Sequence, residues 1–239
     1  MDTLGNITLH NADCMDLLRQ MPDKSVDFIL TDIPYEIEIP GGGKFSNRGM
    51  VGGRGKVSTL EFVSKGIDYD KVFPEFERIL KVVNGCIFCS NRQVSKIMSW
   101  WQDRGYSTTL LVWDKPNPIP LCNGKYIENL EFIVYIRDKG ATYNNLGYNL
   151  QLKTFRYNPP QAKDRIHETE KPANLLEHLL MLHTNEGDVV FDPYAGSFST
   201  AIACHNLKRK FIGCEILEKY YVKAVERIKQ HQRQLTINF

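Results

Sequence analysis

Seven short β-rich runs punctuate the chain: Asn6 to His10, Val26 to Thr31, Gly85 to Ser90, Ser107 to Trp113, Leu130 to Ile136, Asp188 to Asp192 and Lys210 to Glu215. Most are continuously apolar rather than alternating, the pattern of strands covered on both faces. Helical periodicity fills the gaps, over Cys14 to Met21, Val72 to Val83, Gln93 to Arg104, Ala173 to His183, Thr200 to Leu207 and Glu218 to Gln232. Strand and helix in repeated alternation predict a doubly wound α/β fold, a mostly parallel seven-stranded sheet with helices on both faces.

Two segments break this rhythm. Residues 36–62 contain Gly41-Gly42-Gly43 and Gly52-Gly53-Arg54-Gly55, with Lys44, Arg48, Arg54 and Lys56 and no acid between 41 and 56. Residues 137–171 are aromatic and basic, with seven Lys/Arg against four Asp/Glu and weak periodicity. Ligands of open α/β sheets bind at the carboxyl ends of the strands, so insertions there are candidates for substrate contact. The expected organisation is one domain over 1–239, carrying an inserted basic loop at 36–62 and a target-recognition segment at 137–166.

Composition changes this picture little. A hydrophobic fraction of 42% and a charged fraction of 24% exclude a disordered chain. Lys plus Arg number 30 against 28 Asp plus Glu, so a polyanion would have to be met by a local patch. No run approaches the ~20 apolar residues of a membrane span. The first residues lack the basic start and apolar core of a signal peptide, and a cytoplasmic setting without membrane contact is expected. Cys86-Ile87-Phe88-Cys89 fits C-x-x-C, but it has no second pair and lies in a strand, where residues three apart face opposite ways. Two buried thiols is the better reading. His10, His167 and His183 show no ligand spacing, so no metal is expected.

The chemistry concentrates in two stretches. In Val26-Asp27-Phe28-Ile29-Leu30-Thr31-Asp32-Ile33-Pro34-Tyr35 a buried strand runs into a carboxylate, a stiff turn and an aromatic ring. Pro34 fixes its own φ and restricts Ile33, which presets the Ile33 carbonyl. A planar base with an exocyclic amine suits these parts: two acceptors for its N–H donors and a ring to stack on. The plainer reading is a strand ending in an Asp-x-Pro turn. Downstream, the strand Asp188 to Asp192 passes through Pro193-Tyr194-Ala195-Gly196-Ser197 into a helix, and Glu215 ends the next strand. That is where a carboxylate takes ribose hydroxyls in nucleoside-binding α/β folds. G-x-G-x-x-G and G-K-[ST] are both absent, which disfavours a dinucleotide or P-loop site.

These residues resemble the amino-group DNA methyltransferases, which methylate adenine N6 or cytosine N4 from S-adenosylmethionine. Thr31-Asp32-Ile33-Pro34-Tyr35 is similar to their catalytic D-P-P-Y element, and Phe191-Asp192-Pro193-Tyr194-Ala195-Gly196-Ser197 to their cofactor loop. His167-Glu168-Thr169-Glu170-Lys171-Pro172 resembles their H-x-T-x-K-P segment, and Asn11-Ala12-Asp13 the opening of their first motif. Trp113-Asp114-Lys115-Pro116 and Asn129-Leu130-Glu131 resemble the strands between. The likeness runs from about residue 6 to 225, with the catalytic element before the cofactor loop, the permuted order of the β group. Two positions depart from the pattern. Ile33 replaces the first proline, and Phe198 stands where the second glycine of G-S-G is usual, so its phenyl either narrows the cofactor pocket or points outward.

The resemblance implies N6 methylation of an adenine flipped over Tyr35, polarised by Asp32 and the Ile33 carbonyl, with Pro34 setting the turn. It implies S-adenosylmethionine bound by Asp13, Lys171, Asp192, Pro193, Tyr194, Gly196, Ser197, Ser199 and Glu215, with Asp13 near the adenine amine and Lys171 at the methionine end. Asp13 also suits a helix cap, and the two roles are compatible. Lys44, Arg48, Arg54, Lys56, Arg137, Lys153 and Arg156 are the implied DNA contacts. The implied partners are double-stranded DNA, a cognate restriction endonuclease and a second copy of the chain, in a bacterial or bacteriophage setting. Cytosine N4, an RNA or glutamine amine, or a binder without catalysis are the alternatives.

Overall fold

The computed structural model describes residues 1–36, 66–118, 126–161, 166 and 170–237. All seven apolar runs are strands of one sheet: β2 (Ile7–Asn11), β3 (Phe28–Asp32), β4 (Asn84–Cys89), β5 (Ser107–Asp114), β6 (Leu130–Arg137), β8 (Val189–Asp192) and β9 (Lys210–Glu215). Two strands of three residues, β1 (Asp2–Leu4) and β7 (Thr154–Arg156), extend it at the edges to nine among the described residues, in the order β1-β2-β9-β8-β3-β4-β6-β5-β7. Neither is long enough to show a periodicity of its own, so the sequence reading counts seven.

Both faces are covered, which is why the strands read as unbroken apolar runs. Helices α1 (Cys14–Gln20), α2 (Tyr69–Ile79) and α3 (Asn91–Gln102) pack on one face; α4 (Ala173–His183), α5 (Ser199–Asn206) and α6 (Glu218–Ile237) pack on the other. Successive residues of β3 alternate between them: Phe28 and Leu30 meet α4 to α6, and Ile29 meets α1 to α3. All three are fully buried, and each contributes roughly 1.5–3 kcal/mol by leaving water. Cys86 and Cys89 divide in the same way, so the C-x-x-C thiols are free and belong to opposite cores. Burial pushes the Cys89 thiol up to about 12. Among the described residues no helix is long and apolar enough to cross a membrane.

Strands β2, β9, β8, β3 and β4 run parallel, whereas β6 is antiparallel to both β4 and β5. From β3 the chain crosses through α2 to β4 on one side; from β8 it crosses through α5 to β9 on the other. Adjacent strands whose connections diverge leave a crevice at their carboxyl ends. Here the crevice opens between Asp32 and Asp192.

The stretch after β6 is tied to the scaffold. The Asn144 side chain donates to the Met181 and Thr184 carbonyls at the end of α4, at 2.9 Å each. The His178 ring bonds the Tyr157 hydroxyl (2.9 Å) and the Leu150 carbonyl (2.7 Å). The Trp113 indole donates to the Tyr157 carbonyl (2.8 Å), and Phe155 is buried. Residues 138–157 thus return along α4 to add β7 beside β5.

Candidate active site

β3 delivers Asp32 to the crevice, and the following turn is fixed from both sides. Ile33 is buried against the α1 to α3 face, and its N–H donates to the Phe88 carbonyl (3.3 Å). Burial thereby supplies the restraint that a proline would have supplied. Gln93 has two functions: its side-chain oxygen caps α3 by accepting from the Ser90 N–H (3.0 Å) and hydroxyl (2.8 Å), and its amide nitrogen donates to the Pro34 carbonyl (3.0 Å). Tyr35 follows with its ring beside the crevice.

A chain of alternating charge surrounds the carboxylate. Lys171 Nζ lies 2.5 Å from Asp32 Oδ2 and 3.1 Å from Glu131 Oε2, and Lys115 Nζ lies 2.6 Å from Glu131 Oε1. The Tyr35 hydroxyl donates to Glu131 Oε2 at 3.2 Å. Burial works against the Lys171 charge, but the two carboxylates hold the ammonium above its ordinary value. Burial also opposes the Glu131 charge, and Lys171 and Lys115 pull that carboxyl below its usual range. Asp32 lies above its usual range because burial outweighs the pull of Lys171. Its Oδ1 is buried without a hydrogen-bond partner among the described residues, so the carboxylate keeps acceptor capacity.

The facing wall is the loop after β8. Asp192 Oδ1 accepts from the Thr31 hydroxyl (2.8 Å) and the Tyr194 N–H (3.2 Å), and Oδ2 accepts from the Thr200 hydroxyl (2.8 Å). This carboxylate therefore fastens the loop to β3 and to α5. Burial pushes its titration up to about 7, against the lowering effect of those bonds. Gly196 (φ 52°) and Phe198 (φ 55°) hold left-handed backbone, and the Ser197 and Ser199 hydroxyls lie 3.0 Å apart. The Phe198 phenyl neither narrows the crevice nor points outward. It is fully buried, edge-on to Phe211 (6.1 Å) and Tyr221 (6.2 Å) in the core behind the loop.

Asp13 accepts from the Met15 N–H (2.8 Å), so it caps α1 while also lining the cleft. Glu215 ends β9 and accepts from the Leu217 N–H (2.7 Å); burial raises its carboxyl. Every catalytic and cofactor residue named from the sequence (Asp32, Ile33, Pro34 and Tyr35, with Asp13, Lys171, Asp192, Pro193, Tyr194, Gly196, Ser197, Ser199 and Glu215) lines this one cleft. Lys171 differs from expectation in its partner: its ammonium is held by Asp32 and Glu131, at the catalytic end of the cleft. Glu131, Lys115 and Gln93 are additions. For Glu131 and Lys115 the sequence signal was the pair of strand ends around 113–115 and 129–131, which the antiparallel register sets face to face, Trp113 opposite Glu131; Gln93 stood only as the start of a helical pattern.

The residues expected to contact DNA that are described do not all stand at one end of the sheet. Lys44, Arg48, Arg54 and Lys56 lie outside the described residues. Arg156, exposed and 3.6 Å from Asp114, stands at the same end of the sheet as Asp32, and Lys153 is exposed just before β7. Arg137 pairs with Asn84 at the amino end of β4, so the reversal of β6 carries it to the opposite end of the sheet from the cleft. It therefore stands apart from Lys153 and Arg156.

A family model described as DNA methylase, covering N6 and N4 enzymes, matches residues 26–226. The chain is 29% identical to the Type II methyltransferase M2.DpnII of Streptococcus pneumoniae, over 93% of this chain and 89% of that protein. It is 27% identical to the Type II methyltransferase M2.LlaDCHI of Lactococcus lactis subsp. cremoris, over 93% and 88%. Among solved structures, that of the M1.HpyAVI–SAM complex aligns with a TM-score of 0.68 at 25% identity, covering 93% of this chain and 98% of that one. The cytosine-N4-specific PvuII DNA methyltransferase aligns at 0.69 with 14% identity, covering 97% and 93%, a likeness of fold alone. With most of its length matched and its catalytic turn and cofactor loop meeting at one cleft, the chain belongs to the N6/N4 DNA methylase family.

Proposed function

We propose that this protein is a site-specific DNA methyltransferase that transfers a methyl group from S-adenosylmethionine to N6 of an adenine flipped out of double-stranded DNA. The observation that carries this reading is the meeting of two distant stretches, the Asp32 to Tyr35 turn and the Asp192 to Ser199 loop, across one cleft at the switch point of the sheet. The donor set suits such a cofactor. Glu215 and Asp13 offer carboxylate oxygens to hydroxyls and an amine, and Leu30, Phe88 and Leu176 offer apolar wall. Lys171 is the one basic side chain lining the cleft among the described residues, and carboxylates engage it, so the lining suits a cationic nucleoside better than a polyphosphate. The cofactor, when bound, supplies an electrophilic sulfonium methyl.

The chain's own part is positioning and electrostatics. Tyr35 gives the base a stacking face. Asp32 and the Ile33 carbonyl accept the amine hydrogens, which draws the nitrogen lone pair out of the ring and aims it across the cleft. Paired with Lys171, Asp32 is an acceptor rather than a strong base, so the surplus proton leaves after transfer. Asp32, where N4-cytosine relatives more often carry serine, favours adenine. Exposed Arg156 and Lys153 meet phosphates on the catalytic side. The same reading includes a cognate restriction endonuclease as partner and action in a bacterial cytoplasm, in keeping with the bacterial sources of the relatives; sedimentation on DNA distinguishes one bound copy from two.

Asp32→Ala should keep cofactor affinity, measured calorimetrically, within about threefold while lowering methyl transfer by at least about a thousandfold. Full activity in that variant would overturn the assignment.

A further inference from the structure

Glu131 lies outside the cleft lining, yet it touches two working parts of the cleft at once. We propose that Glu131 is a positioning residue that couples the stacking ring of Tyr35 to the polarising carboxylate of Asp32; this rests on the methyl-transfer reading above. Its Oε2 accepts the Tyr35 hydroxyl at 3.2 Å and lies 3.1 Å from Lys171 Nζ, which also lies 2.5 Å from Asp32 Oδ2. An ammonium has three hydrogens in a rotating fan, and one carboxylate alone does not fix their direction. The second carboxylate does. It draws Lys171 to one side of Asp32, so that the ammonium occupies one oxygen and does not straddle both.

The same oxygen also sets the tilt of the Tyr35 ring, so ring and carboxylate share one reference point on β6. Lys115 completes the arrangement by holding Glu131 Oε1 at 2.6 Å. The four charges, Asp32, Lys171, Glu131 and Lys115, cancel in sequence. Buried charge is tolerated when paired in this way. The side chains of Glu131 and Lys115 are each 19% exposed and that of Lys171 is 5% exposed, so water screens these contacts weakly. The titratable groups acting on Asp32 from the packed elements are Lys171 before α4, Glu131 on β6 and Tyr35 in the turn; Asp32 in turn acts on Cys89 of β4 and Asp192 of β8.

The test is the single-turnover methyl-transfer rate as a function of pH, on full-length protein with saturating cofactor and DNA. Glu131→Gln keeps the shape and removes the charge. It should slow transfer about tenfold or more, leave cofactor affinity within about twofold, and move the acid limb to lower pH, because the neighbouring negative charge that raises Asp32 and shares Lys171 is gone. Lys115→Gln removes the far positive charge and should move the acid limb the opposite way, with a smaller loss of rate. A merely structural role would lower melting temperature without moving the limb. The proposal fails if Glu131→Gln transfers methyl within about twofold of wild type with its limb unmoved, or if both variants shift the limb in the same direction. Should Glu131→Gln not fold, an unmoved limb in Lys115→Gln is enough to overturn it. Absence of transfer by the wild-type protein would instead sink the function proposed above.

Discussion

Phe198 shows what a departure from a glycine-rich loop means physically. Its φ of 55° is a left-handed backbone that glycine adopts freely and a phenylalanine adopts at a cost of roughly 1–2 kcal/mol. The phenyl offsets that cost by filling the core beside Phe211 and Tyr221. Two variants separate the terms. Phe198→Ala loses the packing and keeps most of the strain, and should cost about 3–5 kcal/mol in denaturant melts. Phe198→Gly loses the same packing and relieves the strain, so it should be the more stable of the two by about 1 kcal/mol. At ordinary helix positions the order is reversed, and finding that order here would contradict the strained-backbone account. Cofactor affinity should hold in both folded variants, since the ring does not line the cleft.

Strand direction decides which basic residues can meet DNA. Arg137 and Arg156 look alike in a list of charges, but β6 runs against β4 while β7 runs with β5, so the two arginines end on opposite ends of the sheet. Arg156→Ala should weaken DNA binding about equally across sequences and lower the slope of log K against log salt by about one. Arg137→Ala should leave both unchanged, and the opposite ranking would contradict this docking geometry. The same reversal explains why Glu131 escaped sequence reading. Its partners come from residues 35, 115 and 171, brought together by register and loop closure and not by spacing along the chain. By contrast, α4 was legible to the residue, because its apolar face is uninterrupted from Ala173 to His183. The edge strands β1 and β7 were not, because three residues held by a neighbouring strand leave no period to read.

For the molecule as a whole, apolar runs between helical patterns were enough to indicate the two-faced sheet, whereas the Asp-x-Pro-Tyr turn indicated the cleft only together with the loop after Asp192 and the other motifs in the same order. The interior polar wiring was not visible, and it governs response to pH. His183 is buried, stacked on Phe28 (5.5 Å, 17°) and close to Tyr135 (4.1 Å), and burial lowers its pKa to about 3. Against an unfolded value of about 6.5, its contribution is complete above that pH. It is lost as pH falls toward 3, by up to about 5 kcal/mol. Asp192, raised to about 7, acts in the opposite sense: stability falls as pH rises from its unfolded value toward 7. His183→Phe should therefore flatten the loss of stability between about pH 6.5 and 4, measured by urea melts; an unchanged slope would contradict the buried neutral imidazole. The most direct test of the central claim is incubation of unmethylated double-stranded DNA with the protein and S-adenosylmethionine labelled in its methyl group, followed by digestion to nucleosides. The account predicts label in N6-methyldeoxyadenosine alone; label in N4-methyldeoxycytidine, or no label with the cofactor demonstrably bound, would contradict it.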